Sequence, residues 1–183
     1  MTKPRRNPET ASSRERYPRA TPRVVAVDLR IARDGTWLHE GAPIVRPALV
    51  RLFAGALVRE ADGAYWIVTP AERAEVRVED APFVAVDVDA EGEGRASCLV
   101  FRTNVDDRVV AGPDRPIRVI HSGPRAEPAP YVLVRDRLEA LIARPVYYRL
   151  VDMGTEMIEG GRRVFGVWSG GVFFSLGDLA GDA

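Results

Sequence analysis

Apolar residues in the first half of the chain recur at the spacings of strands and of one helix. The β-branched run Val24 to Ile31 predicts a strand, and the Asp34-Gly35 turn that follows it predicts a hairpin. Beyond Pro47, which is suited to the start of a helix, apolar residues follow at i, i+3, i+4, i+7 and i+8: Leu49, Leu52, Phe53, Ala56 and Leu57. This spacing predicts a helix with one apolar stripe. Three more strands are predicted, over 64–69, 74–79 and 83–88.

The second half of the chain repeats this order of elements. A strand over 97–103 and a turn over 104–107 come first, and a loop rich in proline and glycine is predicted over 121–130. A second helix, ended by Pro145, is predicted from the helical spacing of Val134, Leu138, Leu141 and Ile142. The predicted elements close with three strands, over 146–152, 163–168 and 172–175.

The repeated order predicts a duplicated architecture. Leu29 aligns with Leu99 in the two copies, and Tyr65 aligns with Tyr147 after one insertion. Because the strands group around each helix, we expect an α+β fold of two similar units, each a mostly antiparallel sheet with one helix. The predicted divisions are a tail over 1–23, an N-terminal unit over 24–92 and a C-terminal unit over 93–183. The seam between two such units is a natural place for a ligand.

Charge and cysteine content restrict the classes of function. Residues 1–23 carry seven basic and two acidic side chains, so in a chain of zero formal net charge the remainder is acidic. Nucleic-acid-binding domains are usually basic over their folded part, so specific nucleic-acid binding is not expected. The tail, rich in proline and poor in apolar residues, is predicted to be disordered. One cysteine, Cys98, and no long apolar stretch favour a cytoplasmic protein without a membrane span.

The sequence shows no catalytic or metal-binding signature. The segment around Ser169 superficially resembles a nucleophile elbow, but Val167 stands where that motif needs glycine, and a strand rather than a helix is predicted after the serine. With only His39 and His121, a histidine-rich metal site is excluded. No catalytic residue, metal site or cofactor is therefore predicted, and an enzyme ranks below a binding protein.

The remaining candidates form a binding constellation at the seam of the two units. Arg46 and Arg118 each follow a Pro-Ile step closely and are candidates for gripping a phosphate or carboxylate, although surface arginine is the simpler interpretation. Trp37 or Trp168 would offer a stacking surface, although tryptophan in a small core most often only packs. Hydrogen bonds to the ligand are predicted from three further side chains: His39, Thr69 and Asn104.

These blocks of sequence resemble the bacterial family called domain of unknown function 1285, from about Asp28 to Gly177. The resemblance rests on Arg30-Ile31, Asp34-Gly35-Thr36-Trp37, Arg46-Pro47, Trp66, Val68-Thr69-Pro70, Glu79-Asp80-Ala81-Pro82-Phe83, Phe101-Arg102-Thr103-Asn104, Asp107, Arg149-Leu150-Val151, Gly166-Val167-Trp168-Ser169-Gly170-Gly171 and Phe173-Phe174. It implies a duplicated core, a second unit superficially like pleckstrin-homology folds and a pocket at the interface of the units. It also implies a nucleotide-like ligand and a role in signal transduction, with no established catalytic residues.

Two hypotheses follow for the function. The first is a protein that binds a small anionic, nucleotide-like ligand between the repeats. The alternative is a protein-interaction adaptor that uses a sheet edge or the pleckstrin-like unit and has no small-molecule ligand.

Overall fold

The computed structural model describes residues 22–122 and 127–179. Those ranges contain two α-helices, α1 (Pro47–Gly55) and α2 (Arg144–Asp152), and a 3-10 turn at Gly94–Ala96. The strands are β1 (Arg23–Ile31), β2 (Trp37–His39), β3 (Ala42–Pro43), β4 (Leu57–Arg59), β5 (Tyr65–Val68), β6 (Glu72–Val78), β7 (Phe83–Glu91), β8 (Cys98–Thr103), β9 (Arg108–Val110), β10 (Ile117–Ser122), β11 (Glu127–Arg135), β12 (Leu138–Ile142), β13 (Thr155–Glu159), β14 (Arg162–Ser169) and β15 (Val172–Asp178). The predicted tail lies outside the described residues as far as residue 21, and Arg23 already starts β1.

Sheet A contains the first six strands in the order β3-β2-β1-β6-β5-β4. It consists of two antiparallel meanders, β1–β2–β3 and β4–β5–β6, which are joined by parallel pairing of β1 with β6. The hairpin predicted at Asp34-Gly35 is confirmed: the Asp34 carboxylate accepts the Thr36 N–H at 2.9 Å, and Gly35 takes a positive φ of 83°. A side chain at that φ would be strained, which explains the glycine.

Sheet B contains the next six strands in the order β10-β11-β12-β7-β8-β9. Its meanders are β7–β8–β9 and β10–β11–β12, and β7 pairs in parallel with β12. In both sheets the first strand of the first meander therefore pairs with the last strand of the second. The predicted duplication is confirmed as this shared topology, and we call the two sheets with their connections the first and second repeat.

The alignment of the two copies differs from the one predicted. The topology matches β1 with β7, whereas the sequence comparison matched Leu29 in β1 with Leu99 in β8. The sequence comparison matched β1 with β8 instead of β7, because β1 and β8 are both apolar and both precede a turn. The predicted boundary between the two units, after residue 92, stays a prediction. Because β7 forms hydrogen bonds with strands of sheet B, we propose a boundary before Phe83.

The repeats differ in the connection between their meanders. In the first repeat, α1 forms part of that connection. In the second repeat it is a short turn closed by backbone hydrogen bonds between Gly112 and Arg115, and α2 follows the last strand instead. Strands β13, β14 and β15 form a third antiparallel sheet, sheet C. With two helices and three sheets, the described chain is a sheet-dominated α+β fold, and the pleckstrin-homology likeness stays a prediction.

The helix predicted from Pro47 is confirmed, but its apolar stripe is only partly buried. The helix ends at Gly55, so Leu57 lies in β4, where it is buried. Leu52 is 67% exposed. Only a few side chains of a nine-residue helix can pack against its sheet. In α1 these are Val50, Phe53 and Ala54. Leu52, a member of the predicted stripe, is consequently open to solvent.

The second predicted helix is wrong, because that segment forms the hairpin of β11 and β12. Leu138, Ala140 and Ile142 are buried while the residues between them are only half-buried, which is the period of a strand. Asp136 takes a positive φ of 46° in the connecting turn. Strand and helix periods both fit a short run of apolar residues, so spacing alone did not separate them.

The strand predicted over 146–152 is also wrong, since those residues belong to α2. Pro145 lies in the first turn of this helix instead of ending a previous one, in agreement with the preference of proline for that turn. Val146 and Leu150, one turn apart, are the buried residues that hold α2 against the sheets.

The predicted proline-rich loop is largely extended chain. His121 lies in β10, and Pro128 and Pro130 lie in β11 opposite His121 and Val119. Proline is tolerated there because β12 pairs with β11 only from Tyr131 onward, so this part of β11 is flanked on one side. The centre of the predicted loop, residues 123–126, lies outside the described residues.

A continuous apolar core joins the repeats. It extends from Ile31 and Trp37 in sheet A, through Phe83 and Phe101 in sheet B, to Val167 and Phe174 in sheet C. Neither helix in the described ranges has the length and apolar composition needed to cross a membrane.

Candidate functional site

An arginine–tyrosine pair in the second repeat forms one half of the candidate site. Arg118 in β10 is the cross-strand partner of Tyr131 in β11, and its guanidinium carbon lies 4.6 Å from the centre of the tyrosine ring. The same guanidinium donates two hydrogen bonds to the Glu139 carboxylate, at 2.5 and 2.6 Å. The hydrogen bond to Glu139 raises the pKa of Arg118 above its ordinary value. The charge of Arg118 is therefore compensated within its own repeat.

The first repeat contains the same pair at the equivalent positions. Arg59 in β4 is the cross-strand partner of Tyr65 in β5, and its guanidinium carbon lies 5.2 Å from the ring centre. Both pairs have the geometry of a cation–π contact. The strand register also gives the position equivalent to Glu139. Glu139 pairs with Leu133 in the second repeat, and in the first repeat the equivalent pair is Ala74 with Ile67. Among the described residues Arg59 forms no ion pair, and the adjacent Glu60 pairs with Arg73 at 2.9 Å.

Asp80, in the segment that connects the repeats, ties the second pair to the first hairpin. Its carboxylate accepts a hydrogen bond from the Tyr131 hydroxyl at 2.7 Å and pairs with the Arg33 guanidinium at 3.2 Å. Burial, together with the hydrogen bond and charge of Asp80, raises the pKa of Tyr131 to about 12. Tyr131 is thus a neutral hydrogen-bond donor over the whole physiological range.

The two pairs share one electrostatic environment at the seam. Burial raises the pKa of Tyr65, and its hydroxyl is influenced by charges from both repeats: Arg59 and Arg118 lower the pKa, whereas Glu139 and Asp80 raise it. Charges of both repeats therefore act on the Tyr65 hydroxyl. We define the seam site by Arg59, Tyr65, Arg118, Tyr131 and Glu139.

Among the predicted residues, Arg118 belongs to the seam site and Asn104 joins the repeats elsewhere. The Asn104 side chain accepts the Val84 N–H at 3.0 Å and donates to the Gly35 carbonyl at 3.2 Å. A Cβ at Gly35 would lie 2.5 Å from the Asn104 amide nitrogen. Asn104 therefore connects the first hairpin of one repeat to β7 of the other, and both its side-chain groups are used by the protein.

The predicted stacking residues lie apart from one another. Trp37 is 1% exposed, with its ring centre 6.1 Å from that of Phe53, and its indole N–H has no partner among the described residues. Trp168 in β14 lies under the Arg95 guanidinium and packs edge-on against Phe173 at 5.3 Å. Arg46 is the exposed residue just before α1. Trp37 and Trp168 line two different grooves, and Arg46 lines neither of them.

His39 and Thr69 line a cavity inside the first repeat. It has a volume of about 370 Å³ and lies between α1 and sheet A. A smaller groove of about 240 Å³ at the seam is lined by residues that include Trp37 and Asn104. The Thr69 hydroxyl both donates to the Glu72 carbonyl and accepts the Glu72 N–H, at 2.8 and 3.0 Å, so it is satisfied within its own turn.

Ser169 forms hydrogen bonds to two backbone groups of the second repeat. The side chain is fully buried, donates to the Ala111 carbonyl at 2.7 Å and accepts the Leu99 N–H at 2.8 Å. Over the part of the chain that the structure describes, no cluster of three His, Cys, Asp or Glu side chains is arranged to bind a metal. No residue could be assigned to a cofactor from this geometry.

Sequence reasoning missed four members of the seam site: Arg59, Tyr65, Tyr131 and Glu139. A signal was present, because an arginine faces a tyrosine across a hairpin in each repeat. It was hidden by the wrong assignment of β11 and β12, which removed the second hairpin from the comparison. Arg118 was paired with Arg46 instead of with Arg59.

Comparison with known proteins agrees with the duplicated architecture. Residues 20–81 match the family model described as "Domain of unknown function (DUF1285), N-terminal domain". Residues 82–176 match the model described as "Protein of unknown function (DUF1285), C-terminal domain". The chain therefore belongs to the DUF1285 family, as the sequence predicted. A search of curated proteins found no match.

Solved structures of the same family resemble this chain. A DUF1285 family protein from Silicibacter pomeroyi DSS-3 is 51% identical, with a TM-score of 0.79 over 87% of this chain and 85% of that one. A second, from Shewanella baltica OS155, is 23% identical, with a TM-score of 0.53 over 68% of this chain and 91% of that one. The second likeness concerns the fold alone.

Proposed function

We propose that this protein binds a small anionic molecule at the seam site. The observation that carries the proposal is the duplication of the arginine–tyrosine pair, with Arg59 and Arg118 at equivalent positions of the two repeats. Guanidinium groups recognise phosphates and carboxylates through paired hydrogen bonds. Two of them from neighbouring repeats would hold one anion between them.

The charge balance of the seam site favours an anion. Arg118 spends two N–H donors on Glu139, whereas Arg59 has Ala74 where a carboxylate would complete the same arrangement. Arg59 therefore brings an uncompensated positive charge to the seam, and an anionic ligand supplies the missing partner. The Tyr65 hydroxyl, half-buried beside these charges, would donate a further hydrogen bond.

The narrower form of the proposal is a nucleotide-like ligand whose phosphate takes the position between Arg59 and Arg118. The predicted role in signal transduction belongs to this proposal, since occupancy of a seam would change the packing of one repeat against the other. The proposed compartment is the cytoplasm, which suits a chain with a single cysteine.

Titration calorimetry of the full chain against inorganic phosphate and adenosine monophosphate tests the proposal. We expect Arg59→Gln to weaken binding by about tenfold or more, because hydrogen bonds to a charged group contribute roughly 1.5–3 kcal/mol. The matched control is Arg137→Gln, at an exposed arginine in the turn between β11 and β12. Equal affinities in Arg59→Gln and wild type, or no heat from either anion, would contradict the proposal.

The alternative function is that of a protein-interaction adaptor, including the predicted use of the pleckstrin-like unit. One observation favours such a role: Val45, just before α1, and Leu52, on the helix, are 85% and 67% exposed. Contiguous exposed apolar side chains are typical of protein-contact surfaces. A pull-down from native extract that recovers one stoichiometric partner, and loses it in Leu52→Glu but not in Ile158→Glu, would support this function.

A further inference from the structure

The cavity in the first repeat originates in an irregularity of β1. Val25 pairs with Ala74 and Leu29 pairs with Val76, so three residues of β1 face one residue of β6. Such a bulge bends its strand and disrupts the ladder locally. Leu29, at the regular end of the strand, belongs to the same buried core as Ala54 of α1, and the cavity is lined beside the bulge by Val25 and Val27.

The walls of this cavity are mostly apolar and come from two opposing layers. Leu49 and Phe53 contribute from α1, and Val27, Ile67 and Ala74 contribute from sheet A. Protein interiors are normally packed without voids of this size. A volume of about 370 Å³ corresponds to about a dozen water molecules, at roughly 30 Å³ each. Water against such walls has few polar partners, so an apolar occupant is favoured.

The polar groups at the cavity indicate an uncharged ligand. Glu72 is paired with Arg23 at 2.7 Å and Arg73 with Glu60 at 2.9 Å, so these charges cancel in pairs. The Thr69 hydroxyl is used within its turn. Among the described residues, the His39 imidazole is the polar side chain at this cavity that has neither a hydrogen-bond nor an ion-pair partner. A ligand thus meets apolar walls and two groups able to form hydrogen bonds, the His39 imidazole and the buried Arg73 Nε, which has no partner among the described residues.

We propose that the cavity between α1 and sheet A binds a small neutral molecule with a hydrocarbon body and a single hydrogen-bonding end group directed at His39. Its volume lies within the roughly 300–1,000 Å³ range of small-molecule pockets. Because helix and sheet form opposite walls, the occupant must be narrow enough to enter between the layers. The cavity borders the seam site at Ala74, but its lining contains none of the five residues that define the seam site, and it takes a ligand of different chemistry.

Displacement of the neutral fluorophore N-phenyl-1-naphthylamine from the full chain tests the inference. Straight-chain primary alcohols from hexanol to decanol should displace it, with affinity rising about fourfold per methylene until the cavity is full. Octan-1-ol should compete at least as well as octanoate. Absence of fluorophore binding, affinity independent of chain length, or strong preference for octanoate would overturn the inference.

Two variants locate the binding. Val27→Trp places a large side chain in the cavity, at a lining position that is 38% exposed. Its control, Val110→Trp, makes the same change at a strand position of the second repeat that is 45% exposed. We expect at least a tenfold loss of fluorophore affinity in Val27→Trp and less than a twofold change in Val110→Trp. His39→Ala should weaken octan-1-ol more than hexane. Equal binding in the two tryptophan variants would place the probe elsewhere and refute the site, and Arg59→Gln should leave the alcohol series unchanged.

Discussion

The two repeats share a strand order but differ in how well they are packed. Among the described residues, ten of the twelve largest fully buried side chains lie in the second repeat and the elements that follow it, and only Ile31 and Trp37 lie in the first. The second repeat is covered by α2 and sheet C, whereas the first has α1 alone and keeps a cavity beneath it. The same topology therefore supports a closed core in one copy and an open one in the other.

The difference originates in the connections rather than in the sheets. In the first repeat, α1 lies in the segment that connects the two meanders. In the second repeat this segment is a short turn, and sheet C packs against that repeat. The helix beside the bulged strand leaves a cavity, whereas the β14–β15 hairpin packs against Ala111 and Gly112 at the turn and leaves none there within the described part of the chain. Duplicated frames can thus diverge in binding capacity without any change in strand order.

The largest effect that tests this comparison is the loss of a core phenylalanine from each repeat. Phe101→Ala in β8, fully buried, should lower the free energy of unfolding by about 3–5 kcal/mol. Phe53→Ala in α1 should cost less than half as much, because Phe53 is half-buried and borders the cavity. Urea denaturation with unchanged m-values measures both. Equal losses would show that the first repeat is as tightly packed as the second.

Attachment of sheet C to the second repeat gives the next effect. Ser169→Ala removes the hydroxyl that bridges the Ala111 carbonyl and the Leu99 N–H, and leaves both buried backbone groups without that partner. We expect a loss of about 1–3 kcal/mol in the free energy of unfolding. Ser175→Ala, at an exposed position of β15, is the control and should change stability little. Hydrogen exchange should show faster opening of β14 in Ser169→Ala alone; uniform exchange would contradict this account.

Sequence patterns predicted the first repeat better than the second, and the reason is physical. Hairpin chemistry at Asp34-Gly35 and proline at the start of α1 are local signals, and both were confirmed. The run from Val134 to Ile142 was misassigned because its burial depends on sheet partners distant in the chain, which spacing does not reveal. The same limit applied to the seam site, since the partners of Arg118 became recognisable only once β10, β11 and β12 were in register.

The smallest effect compares the tyrosines of the duplicated pairs. Tyr131 has a pKa of about 12, raised by burial and by the hydrogen bond to Asp80, whereas its unfolded value is near 10. A pKa raised on folding means that the native state holds the proton more tightly. The resulting stability is complete below pH 10 and is lost as the pH rises from 10 towards 12. The pKa of Tyr65 is raised too, by burial, but Arg59 and Arg118 oppose that rise.

Ultraviolet titration of tyrosinate separates these contributions. Tyr131→Phe should remove the transition near pH 12, and Asp80→Asn should shift it towards pH 10, because the carboxylate that accepts the hydroxyl proton is lost. Tyr65→Phe should leave that transition in place. The fall in unfolding free energy between pH 10 and 12 should be shallower in Tyr131→Phe than in wild type. If Tyr65→Phe instead removes the transition at the highest pH, the pKa of Tyr65 lies above that of Tyr131. The difference in charge compensation argued for Arg59 and Arg118 would then have to be reversed.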